Sequence, residues 1–160
     1  MIDVRRTTET DASALAALLN EIVEQGGTTA RTQPITEADM SIMMANTPEQ
    51  SAWHVALNAG VPLGFQYIQP REGLPPEACD IATFVQIGRT GIGIGTSLFS
   101  ATVEAAKSLG YGWISANIRA DNDSGLSYYH GRGFRDYDRM EGFRLASGLV
   151  VDKVVKRYDL

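Results

Sequence analysis

Residues 88–99 read GRTGIGIGTSLF, preceded by DIATFVQ (residues 80–86) and followed by Thr96 to Leu109, where apolar residues recur at helical spacing. A β-branched run that breaks into glycines and resumes as a helix is a strand–loop–helix unit. Gly91, Gly93 and Gly95 alternate, so the loop lacks the Cβ atoms that would hold a ligand away from backbone N–H groups. The unpaired first-turn amides and the dipole of the following helix favour an anion at the same place. This is a candidate phosphate cradle, although the same glycines would also permit a tight turn and close helix–strand packing.

The loop departs from two familiar phosphate sites. A P-loop closes on GlyLysSer or GlyLysThr, whereas here Ile94, Gly95 and Thr96 follow Gly93, with no lysine to reach a β or γ phosphate. The dinucleotide fingerprint fails because Thr96 stands three places after Gly93, and no acidic residue lies near position 115 to hold a ribose. ATP, GTP and nicotinamide cofactors are therefore disfavoured.

Working outward, the spacing predicts a strand over 2–6 and a helix over 12–23, with Leu15, Leu18, Leu19 and Ile22 on one face and Thr10 as its N-cap. TEAD at 36–39 predicts a second helix running to about Asn46. AWHVALN (52–58) and LGFQYIQ (63–69) read as a hairpin turning around Gly60. A strand over 113–118, a short helix over 122–130 and two closing strands, 134–140 and 149–158, complete the chain. The expectation is a single α/β domain over 1–160, a mixed sheet with helices on both faces.

Composition narrows the function. At 160 residues and 44% hydrophobic content the chain can bury one sizeable core. Fourteen basic against 19 acidic side chains, a net charge of −5, argue against a nucleic-acid partner. No apolar run approaches a membrane span and Met1 to Thr10 has no leader pattern, so a soluble, cytoplasmic protein without a membrane partner is expected. Cys79 is alone and His54 and His130 are far apart, so neither a disulfide nor a metal site is expected.

Two segments together resemble the GNAT N-acetyltransferase superfamily. Gly93 and Gly95 opening the long helix match its acetyl-CoA signature, and NDSGLSYYHGRGF (122–134) matches its second, through Asn122, Tyr129, Gly133 and Phe134. TTETD (7–11), LLNEIVEQ (18–25) and TARTQP (29–34) are similar to the phosphinothricin acetyltransferase branch, so the likeness covers most of the chain. It departs at Thr90, where the first signature carries Gln or Arg; Arg89 is one residue away.

The resemblance implies a mostly antiparallel sheet whose fourth and fifth strands splay to admit the cofactor. It implies that Thr90, Gly91, Ile92, Gly93, Ile94, Gly95 and Thr96 grip the diphosphate of acetyl-CoA. It places a bulge at Val85, Gln86 and Ile87 facing the acetyl carbonyl and pantetheine arm, with Asn122 near that arm. Tyr129 stands where the family's general acid lies, and Asp80 where this branch carries its Glu base. Tyr129 is otherwise a core aromatic, Asp80 a solvated strand-start residue, and Asn122 a helix cap.

The chemistry fits those residue types. An ammonium near pKa 10 must lose a proton before it attacks, which a carboxylate can assist, and a departing thiolate needs a proton, which a phenol can supply. The implied activity is direct acetyl transfer to the primary amine of a small amino-acid-like molecule, with a homodimer as the assembly that the resembling branch suggests and Thr28, Thr29 and Arg31 as candidate acceptor-pocket residues. Two other readings stay open: an acyl-CoA-binding module without turnover, and a protein or peptide N-acetyltransferase.

Overall fold

The computed structural model describes residues 1–89 and 93–160, so Thr90, Gly91 and Ile92 of the expected cradle lie outside the described residues. Seven strands, β1 (Asp3–Arg6), β2 (Ala52–Asn58), β3 (Val61–Gln69), β4 (Ala78–Val85), β5 (Trp113–Arg119), β6 (Arg135–Arg144) and β7 (Val150–Asp159), form one sheet in the order β1-β2-β3-β4-β5-β7-β6. Neighbours run antiparallel except β4 and β5, which are parallel. The expected elements are all present, with ends that differ by a few residues.

Alternation along the strands builds two cores. Trp53, Val55, Leu57, Phe65 and Tyr67 face α1 (Ala12–Gln25) and α2 (Glu37–Ala45). Ala52, Ile68, Ile81, Ile114, Ala116 and Ile118 face the other way, onto α3 (Ile94–Ser108) and α4 (Asp123–Gly131). Helices on both sides explain why β2 is buried along nearly its whole length rather than alternating. The outer strand β6 is mostly exposed.

Local chemistry sets the helix starts. Thr36 accepts from Asp39 N–H at 3.0 Å while Asp39 accepts from Thr36 N–H at 3.2 Å, so the expected capping hydroxyl is joined by a return bond from the first-turn acid. Thr10 does not cap α1: a 3₁₀ turn, Glu9–Asp11, precedes the helix. Asp11 instead accepts from Thr8 N–H at 2.7 Å and binds the Arg5 guanidinium through both oxygens. The β2–β3 turn uses Gly60 at φ 80°, as expected, and Val61 and Pro62 join the ladder opposite Asn58 and Leu57.

The feature that positions the site is where β4 and β5 part. They pair only at Ala78 with Trp113, Cys79 with Ile114 and Asp80 with Ser115. β4 then follows β3 to Val85, while β5 follows β7 from Trp113↔Asp159 to Arg119↔Lys153. Beside the opening, a Cβ on Gly64 would stand 2.9 Å from the Phe84 carbonyl oxygen and 3.0 Å from Ile94 Cγ2. Gly64→Ala is therefore expected to lower stability by about 1–3 kcal/mol in urea unfolding, since neither the strand backbone nor the buried Ile94 can yield freely.

Candidate active site

Strand parity decides which main-chain groups enter the gap. Trp113 N–H meets the Glu77 carbonyl, so odd-numbered residues of β4 turn toward β5, and Gln86 N–H donates to Leu63 C=O at 2.8 Å, so even-numbered ones turn toward β3. Beyond Asp80, Thr83 and Val85 therefore direct N–H and C=O into the space that β5 has left. The β3–β4 register is unbroken from Asp80 to Val85, so the expected bulge is absent from that stretch. The Gln86 amide is spent on β3, which removes it as a free donor. Ile87 lies in the following turn, its side chain exposed. Both border a groove of about 510 Å³ with Glu21, Glu24 and Gln25 of α1.

Side chains divide between the two faces in the same way. Thr83 points toward α3 and α4, where its Oγ1 lies 2.8 Å from the Tyr129 hydroxyl. Gln66, paired across from Thr83, donates from Nε2 to Thr83 Oγ1 at 2.8 Å and to the Tyr128 hydroxyl at 3.1 Å, and Tyr128 donates to the Gly95 carbonyl at 2.7 Å. Burial pushes the Tyr129 phenol well above its usual 10, with the Thr83 hydrogen bond opposing. Tyr129 thus keeps its proton throughout the neutral range.

The two described glycines of the alternating set have reasons within the chain. Gly93 holds φ 87° at the N-cap of α3, and a Cβ on Gly95 would lie 2.5 Å from a Tyr128 ring carbon. Close helix–helix packing, not open space for a phosphate, explains Gly95. Ser97 N–H bonds to Gly93 C=O. A helix offers no acceptor of its own to the N–H groups of its first turn, here Ile94, Gly95 and Thr96, which is the end of a helix that suits an anion. Arg132, at the end of α4, donates from Nη1 to Thr96 Oγ1 and lies over the Tyr128 ring, 5.8 Å from its centroid. It brings a cation to the positive end of a helix, a placement that an anion would relieve.

On the α1/α2 face, Asp80 sits where the strands separate. The Arg71 guanidinium is 3.6 Å away and Asn117 Nδ2 donates to it at 3.3 Å. Burial nevertheless raises its carboxyl to about 6, against the pull of Arg71, Lys153 and Asn117. Lys153, buried on β7, stacks its ammonium 3.7 Å from the Phe143 ring centroid, and burial with Arg71 nearby lowers its pKa. Thr28 and Thr29 are tied to the far end of β5: Asn122 Nδ2 donates to Thr28 C=O at 3.1 Å and Arg119 Nη1 to Thr29 C=O at 3.2 Å. Asn122 also caps α4 through Gly125 N–H at 3.0 Å. Arg31 leans instead on Met43 Sδ, 3.6 Å away, at a hollow of about 300 Å³ beside α2.

Two polar residues take no part. Burial and Arg6 lower His54 to about 4, leaving it neutral within β2. Cys79 is fully buried, and burial lifts its thiol to about 12, which makes it an inert core residue.

Sequence reading missed Thr83, Gln66, Arg71, Lys153 and Arg132. Strand register makes the first two neighbours, and no local motif encodes it. Arg71 lies in a loop and Lys153 on a distant strand, so only the sheet order brings them to Asp80.

No family profile matches the sequence. Solved structures do match the fold. A phosphinothricin acetyltransferase from Sinorhizobium meliloti in complex with acetyl-CoA is 21% identical, with 99% of this chain and 88% of that one covered at a TM-score of 0.89. A ribosomal-protein-alanine N-acetyltransferase from Brucella melitensis is 20% identical, with 99% of each covered at 0.90. A GCN5-related N-acetyltransferase from Kribbella flavida is 24% identical, with 99% and 98% covered at 0.85. The chain has the fold of the GNAT acetyltransferases, and the parted β4–β5 pair is the splay that the resemblance implied.

The raised Asp80 carboxyl has a stability consequence. A pKa lifted from 3.8 to about 6 means that the folded protein holds this proton more tightly than the unfolded chain. The associated stability is fully present below pH 3.8 and is lost as pH rises through 6, a cost near 3 kcal/mol at pH 7.5 for a rise of that size at about 1.4 kcal/mol per pH decade. Asp80→Asn is expected to unfold about 1–3 kcal/mol later than the parent at pH 7.5 and indistinguishably from it at pH 4. Equal stability at both pH values would show that Asp80 is not strained by its site.

Proposed function

We propose that this protein is an N-acetyltransferase that moves the acetyl group of acetyl-CoA directly to the primary amine of a small amino-acid-like molecule. The observation that carries the reading is the arrangement at the gap: a carboxylate on one face of the sheet, a phenol on the other, and between them main-chain groups of β4 that, on the side facing β5, pair with no strand beyond Asp80 among the described residues. Acetyl-CoA would supply an activated acyl thioester. Its diphosphate suits the first turn of α3 with Arg132 in the place of the missing signature cation, and its amide-bearing arm suits Thr83 and Val85.

Each residue then has a task. Asp80, with a pKa near 6, is ionised at pH 7.5 and basic enough to draw a proton from the incoming ammonium, directly or through a water. Val85 N–H, facing the gap, offers a hydrogen bond to charge developing on the acyl oxygen, worth about 3 kcal/mol by comparison with other such donors. Tyr129 donates to the leaving sulfur. The burial that raises its phenol would raise a thiol held in the same dry gap, so donor and acceptor stay matched.

The acceptor class follows from charge. Arg71 and Lys153 bring two cations to one carboxylate, Asp80, and an acceptor whose own carboxylate lies beside its amine would balance the excess. That favours an α-amino acid over a polyamine. The likeness to the phosphinothricin acetyltransferase of Sinorhizobium meliloti supports the same class.

Thiol release from acetyl-CoA across amino acids, their sulfoximine and phosphinic analogues, and polyamines tests this. An amino-acid hit with inert polyamines is expected; binding of acetyl-CoA without release on any amine would favour the module without turnover. Asp80→Ala and Tyr129→Phe are each expected to lower kcat by about 10²-fold or more. The parent's kcat/KM should climb as pH rises through about 6 and again on the alkaline side as the amine loses its proton. A profile with no rise through about 6 would contradict the base assignment.

A further inference from the structure

Tyr129 is held by a chain of side chains whose donor directions are fixed from the far end as far as Thr83. The Gly95 carbonyl can only accept, so the Tyr128 hydroxyl donates to it. The Tyr128 oxygen is then the acceptor for Gln66 Nε2, which orients the amide with its NH₂ toward the tyrosine. The second Nε2 hydrogen goes to Thr83 Oγ1. At the other end of the amide, Gln66 Oε1 is buried without a partner among the described residues, a cost of about 1–3 kcal/mol that this orientation bears. Thr83 still has its own proton, and across its 2.8 Å contact with the Tyr129 oxygen either hydroxyl can be the donor. With Thr83 as the donor, the Tyr129 proton is left to point elsewhere.

We propose that Gln66 and Thr83 are positioning residues that turn the Tyr129 O–H into the gap between β4 and β5, aimed at the leaving sulfur. The inference rests on the acetyl-transfer reading. As the carbon–sulfur bond breaks, its electron pair stays on sulfur, which takes the Tyr129 proton. The phenolate oxygen keeps the O–H pair, accepts the Thr83 hydroxyl, and regains a proton from solvent after the products leave. Reversing the chain should disarm Tyr129: a carboxylate in place of the Gln66 amide would accept from Thr83, and Thr83 would then accept from Tyr129.

The test is a double-mutant cycle on thiol release from acetyl-CoA with the fastest amino-acid acceptor of the panel. Thr83→Val and Gln66→Glu are each expected to lower kcat about 10-fold or more while the acetyl-CoA KM stays within about 3-fold, and Thr83→Ser to restore the rate. Thr83→Val added to Tyr129→Phe should cost nothing further, because the hydroxyl it positions is already gone. A second readout needs no acceptor: the pKa of enzyme-bound coenzyme A, followed by thiolate absorbance, should rise in Thr83→Val as the thiolate loses its donor. If Tyr129→Phe is slow but Thr83→Val matches the parent, or if the two effects multiply, the positioning role is overturned and the acid assignment stands. A fully active Tyr129→Phe overturns both.

Discussion

The early parting of β4 from β5 is the constraint on which the rest depends. Each strand is held along its outer edge, β4 by β3 and β5 by β7, so beyond Asp80 the two are pulled apart and β4 loses its partner on one side. Main-chain groups denied a ladder need another partner, and a sheet edge in the middle of a fold is a template for whatever extended, amide-bearing molecule can complete it. A pantetheine arm has that form. The start of α3 follows the end of β4, where an anion attached to such an arm would come to rest.

The sheet then acts as a partition. Asp80 and Thr83 are three residues apart on one strand, an odd number, so their side chains leave from opposite faces. The Asp80 carboxylate therefore looks toward α1 and α2, and the phenol reached through Thr83 looks toward α3 and α4. Two substrates can approach from opposite sides and meet only where the strands have opened. Burial works in the same direction on both groups: it keeps the phenol protonated and leaves the carboxyl less acidic than usual, which suits one for giving a proton and the other for taking it.

Much of the fold was legible because its signals are local. The period of α1, the Thr36–Asp39 cap, the Gly60 turn and the strand AWHVALN each follow from a few adjacent residues. The candidate site was legible only in part. Val85, Gln86 and Ile87 read as one group in the sequence, since which amide faces which neighbour depends on register. Gly95 read as an opening for phosphate, whereas the ring of Tyr128, more than thirty residues later, takes the space where its Cβ would stand. The Gln66–Thr83–Tyr129 chain and the two cations near Asp80 draw on elements far apart in sequence, and only their assembly in the sheet reveals them.

The central claim is that coenzyme A completes β4 along its unpaired edge. Residue-resolved amide exchange with and without coenzyme A addresses it directly. The account expects the Thr83 and Val85 amides to exchange at least about 10-fold more slowly when coenzyme A is bound, while those of Ala82 and Phe84, already bonded to β3, change little. Binding that slows amides elsewhere and leaves Thr83 and Val85 untouched would contradict it.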